Sequence, residues 1–118
     1  MIDLYAHKGR VRLRLRAFAM GSDIAVLLYG GDAPHIGATA LAGPDMATCA
    51  LQRPHHREGD LAERLAAMLT QRLGRAVGVL CGVHVDAITK QEIADVYTLA
   101  QGLAEELARA VEEESWPR

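Results

Sequence analysis

Histidine and carboxylate recur together three times, each time in a polar segment between apolar ones. "GGDAPHIG" (30–37) carries Asp32 and His35, "QRPHHREGD" (52–60) carries His55, His56, Glu58 and Asp60, and "GVHVD" (82–86) carries His84 and Asp86. Neutral imidazole and carboxylate together suit zinc, manganese or iron. His35, His56, Glu58, His84 and Asp86 are therefore candidate ligands for a divalent metal. His56 with Glu58, and His84 with Asp86, alternate along extended chain, so each pair can face one ion. That spacing selects His56 over its neighbour His55. No HExxH or comparable metal motif accompanies them.

The same segments could instead hold an anion or a phosphorylated cofactor. Thr89 begins a helix directly after the third segment, where free N–H groups and the helix dipole favour phosphate. Gly30, Gly31 and Gly37 let backbone approach a ligand closely. Asp60, at the start of the other helix, opposes an anion there. "GGDAPHIG" lacks the Gly-Lys-Ser/Thr ending of a P-loop. Nucleophilic catalysis has little material. Ser22 sits in a turn and Ser115 in the tail, and Cys81 lies at odd spacing from His84 on a strand, which sets the two on opposite faces.

The elements that position these segments are legible from periodicity. "RVRLRLRAFAM" (10–20) alternates strictly, with Val11, Leu13, Leu15, Ala17 and Ala19 on one face and Arg10, Arg12, Arg14, Arg16 and Phe18 on the other. Strands are also predicted over 23–29, 38–42, 47–51 and 76–85. Leu61, Leu65, Met68, Leu69 and Leu73 follow helical spacing, with Asp60 and Glu63 as the capping pair and Gly74 as the C-terminal stop. Thr89 and Glu92 form a capping box for the last helix. Its buried face is Ile93, Val96, Tyr97, Ala100, Leu103, Ala104, Leu107 and Val111, and the tail from 112 is expected to fray. The order β-β-β-β-α-β-α predicts an α+β fold, a mainly antiparallel sheet with two helices packed on one face. The other face is left partly open, which predicts a homodimer or higher oligomer.

The chain of 118 residues is half apolar, with a net charge of -2. That length predicts one domain over 1–118. The charge gives no basic excess for nucleic acid, and no apolar stretch is long enough for a bilayer. Cys49 and Cys81 lie in apolar runs, which predicts buried, reduced thiols in a cytoplasmic protein.

Taken in order, "GGDAPHIGATALA", "PHHREGDLAERLA" and "GVHVDAITKQEI" resemble the LpdD-like prenylated flavin chaperones, small proteins that accompany UbiD-type decarboxylases such as the gallate decarboxylase systems. The matching positions are Gly30, Gly31, Asp32, Pro34, His35, Ile36 and Gly37, then His56 and Glu58, then Gly82, His84 and Asp86. The resemblance implies a non-catalytic accessory protein that binds prenylated FMN and passes it to an apo UbiD-type decarboxylase, with a flavin prenyltransferase as a further partner. It places the cofactor among Gly30, Gly31, Asp32, His35, Gly37, His56, Glu58, His84 and Asp86, to which the helix start adds Thr89 and the scarcity of aromatics adds Tyr29, one of few candidates for the ring. The alternative from the residues alone is a small metal-dependent enzyme using the His/Asp/Glu set. On either reading, His35→Ala and His84→Ala are expected to weaken ligand binding more than thermal stability.

Overall fold

The computed structural model describes residues 1–113 and 116. Two alternating segments, β1 (Ile2–Lys8) and β2 (Val11–Met20), open the chain as a hairpin, and β3 (Asp23–Gly31) returns beside β2. The two-residue turns between them each begin on a glycine at positive φ, Gly9 at 57° and Gly21 at 60°. β1 is additional to the four-strand opening expected from sequence. It carries the same period-two signal, with Ile2, Leu4 and Ala6 packed against the core and Asp3 and Tyr5 on the opposite side.

A second hairpin follows, β4 (Ala38–Gly43) with β5 (Met46–Gln52), then α1 (Gly59–Leu73), β6 (Val77–His84) and α2 (Lys90–Glu113). The sheet order is β1-β2-β3-β6-β4-β5. β6 pairs parallel with β3 and antiparallel with β4, and all other pairings are antiparallel. The fold is α+β, as predicted.

One face of the sheet is the core. Val11, Leu13, Leu15 and Ala17 of β2, Val26 and Leu28 of β3, and Val79 and Cys81 of β6 are buried there against Leu65 and Leu69 of α1 and Leu103 and Leu107 of α2. Burial of a Leu or Val side chain contributes roughly 1.5–3 kcal/mol. The opposite face stays open. One row across it reads Asp3, Arg16, Leu27, Leu80, Thr39, Leu51 by strand register. Arg12 and Arg14 are exposed beside that row, as expected, and Arg14 pairs with Asp3 at 2.8 Å. Arg10 departs from the expected arginine row. It lies in the β1–β2 turn and reaches α2 instead.

Several local expectations are corrected. Ala19 is exposed where the pairing of β1 with β2 has ended, at Ala17, and the last residues of β2 have no neighbour on that side. Ile93 is also exposed, one turn before the buried stripe of α2 begins. Asp60 is not the cap of α1. The cap position is Glu58, without a side-chain capping bond, and Asp60 in the first turn accepts from Arg64 and the Tyr97 hydroxyl. Gly74 ends α1 in the left-handed region at φ 67°, as its position predicts. The Thr89/Glu92 capping box is formed in both directions, at 3.1 and 3.0 Å. The expected fraying of 112–118 does not extend to Glu112 and Glu113, which are helical, or to Trp116, which packs in the core. Residues 114, 115, 117 and 118 lie outside the described residues, Ser115 among them.

The two thiols also differ. Cys81 is buried as expected, and desolvation pushes its pKa up to about 12. Cys49 is exposed, because it stands on the open sheet face opposite Leu41 of β4. Treatment of the native protein with a chromogenic thiol reagent is expected to leave Cys81 unmodified until denaturant is added. Rapid reaction of both in the native state would contradict the burial of Cys81.

Candidate functional site

Strand register brings the three His/acid segments together. The C-terminal ends of β3 and β6 lie side by side, with Gly31 opposite His84. The start of β4 and the end of β5 meet the same end of the sheet, through Ala38 opposite both Cys81 and Gln52. The connections 32–37, 53–58 and 85–89 therefore leave one rim.

Backbone hydrogen bonds fasten them to each other. The Asp32 N–H donates to the His84 carbonyl at 2.6 Å, and the Asp86 N–H donates to Asp32 Oδ2 at 2.8 Å. The Gly37 N–H donates to the Cys81 carbonyl at 2.8 Å, and Arg53 donates to the Gly37 and Ile36 carbonyls at 2.9 and 2.8 Å. The space a side chain would need at the glycines is taken by the protein itself. A Cβ at Gly31 would sit 2.1 Å from the His84 carbonyl oxygen, one at Gly82 would sit 1.6 Å from that of His35, and one at Gly37 would sit 1.8 Å from Glu58 Oε2. These glycines admit loop against strand.

The rim encloses a cavity of about 450 Å³ lined by Ala33, His35, His55, His56, Arg57, Glu58, Val83 and His84. His35 is held on both ring nitrogens, by the Ala33 carbonyl at 3.0 Å and by Glu58 Oε2 at 2.6 Å. The other carboxylate oxygen of Glu58 accepts the Arg57 N–H. The His35 and His56 rings lie 5.0 Å apart, and His56 Nδ1 is 2.8 Å from the Pro54 carbonyl. His84 Nε2 meets Asp86 Oδ1 at 2.8 Å. His55 (φ 65°) and Ala87 (φ 49°) adopt left-handed backbone on two sides of the site, which costs a non-glycine residue roughly 1–2 kcal/mol.

A second cavity of about 300 Å³ adjoins the first and shares Arg57, Glu58 and Val83 with it. Its remaining lining is Leu61, Ile88, Ile93, Val96 and Tyr97, mostly apolar. Desolvation, reinforced by Asp60, raises the pKa of Tyr97. The start of α2 at this cavity is clamped by Arg10, which donates to Glu92 at 2.6 and 2.8 Å and to the Ala87 carbonyl at 3.3 Å. The Arg10 guanidinium and the Thr89 N–H lower the pKa of Glu92 to about 2. A carboxylate depressed in this way stabilises the fold above its ordinary pKa and loses that contribution as pH falls towards about 2.

Of the residues expected at the site, His35, His56, Glu58 and His84 line the cavity together. Asp32 and Asp86 hold the loops and His84, and Thr89 caps α2. His55 lines the same cavity as His56, so spacing to Glu58 did not separate the two. Tyr29 lies elsewhere, in a cavity of about 410 Å³ on the open sheet face with Leu27, Pro34, Ile36 and Leu80, where His35 is the shared wall. Arg57 was not singled out by any spacing. Ile88 and Ile93 could have been found, because they occupy the N′ and N4 positions of a hydrophobic staple around the Thr89 cap. Among the described residues, no three His, Cys, Asp or Glu side chains are arranged to hold one metal ion. The imidazoles and carboxylates are instead paired off, His35 with Glu58 and His84 with Asp86. Among the described residues, no helix is long and apolar enough to cross a membrane.

Comparison with known proteins adds three findings. The Protein LpdD of Lactiplantibacillus plantarum is 27% identical over 93 residues, covering 75% of this chain and 68% of that protein. A crystal structure described as a novel chaperone complex for yeast 20S proteasome assembly superposes with a TM-score of 0.62 at 13% identity, covering 90% of this chain and 92% of that one, a likeness of fold. The family profile described as the prenylated flavin chaperone LpdD-like domain matches residues 7–112. The chain belongs to that family.

Proposed function

We propose that this protein is an accessory protein, not itself a catalyst, that holds prenylated FMN at the three-loop rim and delivers it to an apo UbiD-type decarboxylase. The observation that carries the reading is the pair of adjoining cavities, one rich in imidazole and one apolar, joined through Arg57, Glu58 and Val83. A phosphorylated, prenylated ring system has matching polar and apolar ends, and both volumes suit parts of a small-molecule site. His55, Arg57 and His84 are exposed at the rim, so a ligand can enter and leave without opening the core. A flavin prenyltransferase is the enzyme class that would supply the cofactor. We place this exchange in the cytoplasm, in keeping with two unpaired thiols. The open sheet face, with Leu41, Leu51 and Leu80 exposed, is proposed to pack against a second copy of the chain.

The test is retention of the cofactor. Purified protein is mixed with FMN or prenylated FMN, passed through gel filtration with light scattering, and read by flavin absorbance. Co-elution of prenylated FMN, followed by activation of an apo-decarboxylase on mixing, is expected. Loss of all flavin from the protein peak would end this reading, and a monomeric mass would remove the self-association.

A further inference from the structure

The two cavities differ in what they offer a ligand. The first is lined by His35, His55, His56 and His84, four of the five histidines in the chain, and by Arg57. Its one lining carboxylate, Glu58, has both oxygens engaged, by His35 and by the Arg57 N–H. The neighbouring arginines are also engaged, Arg10 with Glu92 and Arg53 with the Ile36 carbonyl. The Arg57 guanidinium has no hydrogen bond or ion pair among the described residues, and the residue lines both cavities. A permanent cation with free donors, on a residue that borders a basin of imidazoles, favours a dianion. The second cavity offers Leu61, Ile88, Ile93, Val96 and the Tyr97 ring, a wall for an apolar group.

Resting on the flavin reading above, we propose a polarity for the bound ligand. The phosphate end lies in the histidine basin with Arg57 as its charge partner. The prenyl-bearing ring lies in the cleft of Ile88, Ile93 and Val96. Arg57 then reads the phosphate and the cleft reads the prenyl group, so two separate features select prenylated FMN over riboflavin and over FMN.

The experiment compares affinities of the full chain and two exposed-residue variants, Arg57→Met and Ile93→Asn, for riboflavin, FMN and prenylated FMN. Melting curves first establish that each variant folds. Arg57→Met is expected to weaken FMN and prenylated FMN roughly 10- to 100-fold, the effect of losing a hydrogen bond to a charged group, while riboflavin changes little. Ile93→Asn is expected to reduce the preference for prenylated FMN over FMN roughly tenfold or more. If Arg57→Met leaves the FMN-to-riboflavin ratio unchanged, or Ile93→Asn leaves the prenyl preference unchanged, the assigned polarity is wrong while the flavin reading stands. If the unmodified chain holds none of the three flavins, the flavin reading itself fails.

Discussion

Gly82→Ala is expected to lower stability by about 2–3 kcal/mol and to abolish retention of the ligand. The added Cβ would lie 1.6 Å from the His35 carbonyl oxygen and 2.4 Å from its carbon. Both are backbone atoms, so no side-chain rotation relieves the contact. Residues 34–36 must lift from β6, and the Gly37 to Cys81 hydrogen bond lies immediately beyond them. Lifting that segment also removes His35 from Glu58, so the site opens even if the core holds. Gly102→Ala is the control. Gly102 lies within α2 with nothing within 4 Å of the added Cβ, and there alanine is expected to add about 0.5–1 kcal/mol. Urea unfolding and flavin retention on both variants decide the matter. A Gly82→Ala protein that keeps both properties would mean that residues 34–36 do not press on β6.

The second large effect separates two histidines that the sequence treats alike. His35 and Glu58 are 23% and 13% exposed, and their 2.6 Å contact joins two of the three loops. His35→Ala leaves the Glu58 carboxylate half-satisfied in a poorly hydrated place, at a cost of roughly 1–3 kcal/mol. His84 and Asp86 are 53% and 77% exposed, and an ion pair so placed contributes at most about 1 kcal/mol. Both variants are expected to bind the cofactor at least tenfold more weakly, His84→Ala by removing a lining imidazole and His35→Ala by leaving the Glu58 carboxylate unpaired in the cavity. Only His35→Ala should also lower the melting temperature clearly. Thermal melts alongside flavin titrations measure both quantities, and equal destabilisation by the two substitutions would contradict this division.

Sequence periodicity located most of the scaffold because alternation and helical spacing follow directly from which face each element buries. The strand at 10–20, the capping box at Thr89 and the stop at Gly74 all rest on local chemistry that needs no partner. What escaped it depended on neighbours. β1 has only three core-facing apolar residues, a short signal beside the longer arginine-rich strand. The exposure of Cys49 follows from the lack of any helix over the sheet face it shares with Leu41, which no local pattern encodes. At the site, the convergence of three His/acid segments was legible because each sits at the end of an apolar run. The apolar half was not, because Ile93 and Tyr97 share a helical stripe with true core residues such as Val96 and Ala100. The role of Arg57 depends on which acceptors already have donors, and that is a property of the folded chain alone.

The position of β6 has a consequence for biosynthesis. β3 and β4 are successive in the chain yet are separated in the sheet by a strand that is synthesised 34 or more residues after β4 ends. Until residues 77–84 emerge, the growing chain holds a three-strand meander and a separate hairpin, and neither can carry a closed rim. Pairings of this sequence separation form slowly. A ribosome-bound or truncated chain lacking β6 would expose the apolar faces of both pieces and would have no place to load a cofactor. On the proposed function, loading would be confined to chains that have inserted their last strand, so ligand retention would report on folding to completion.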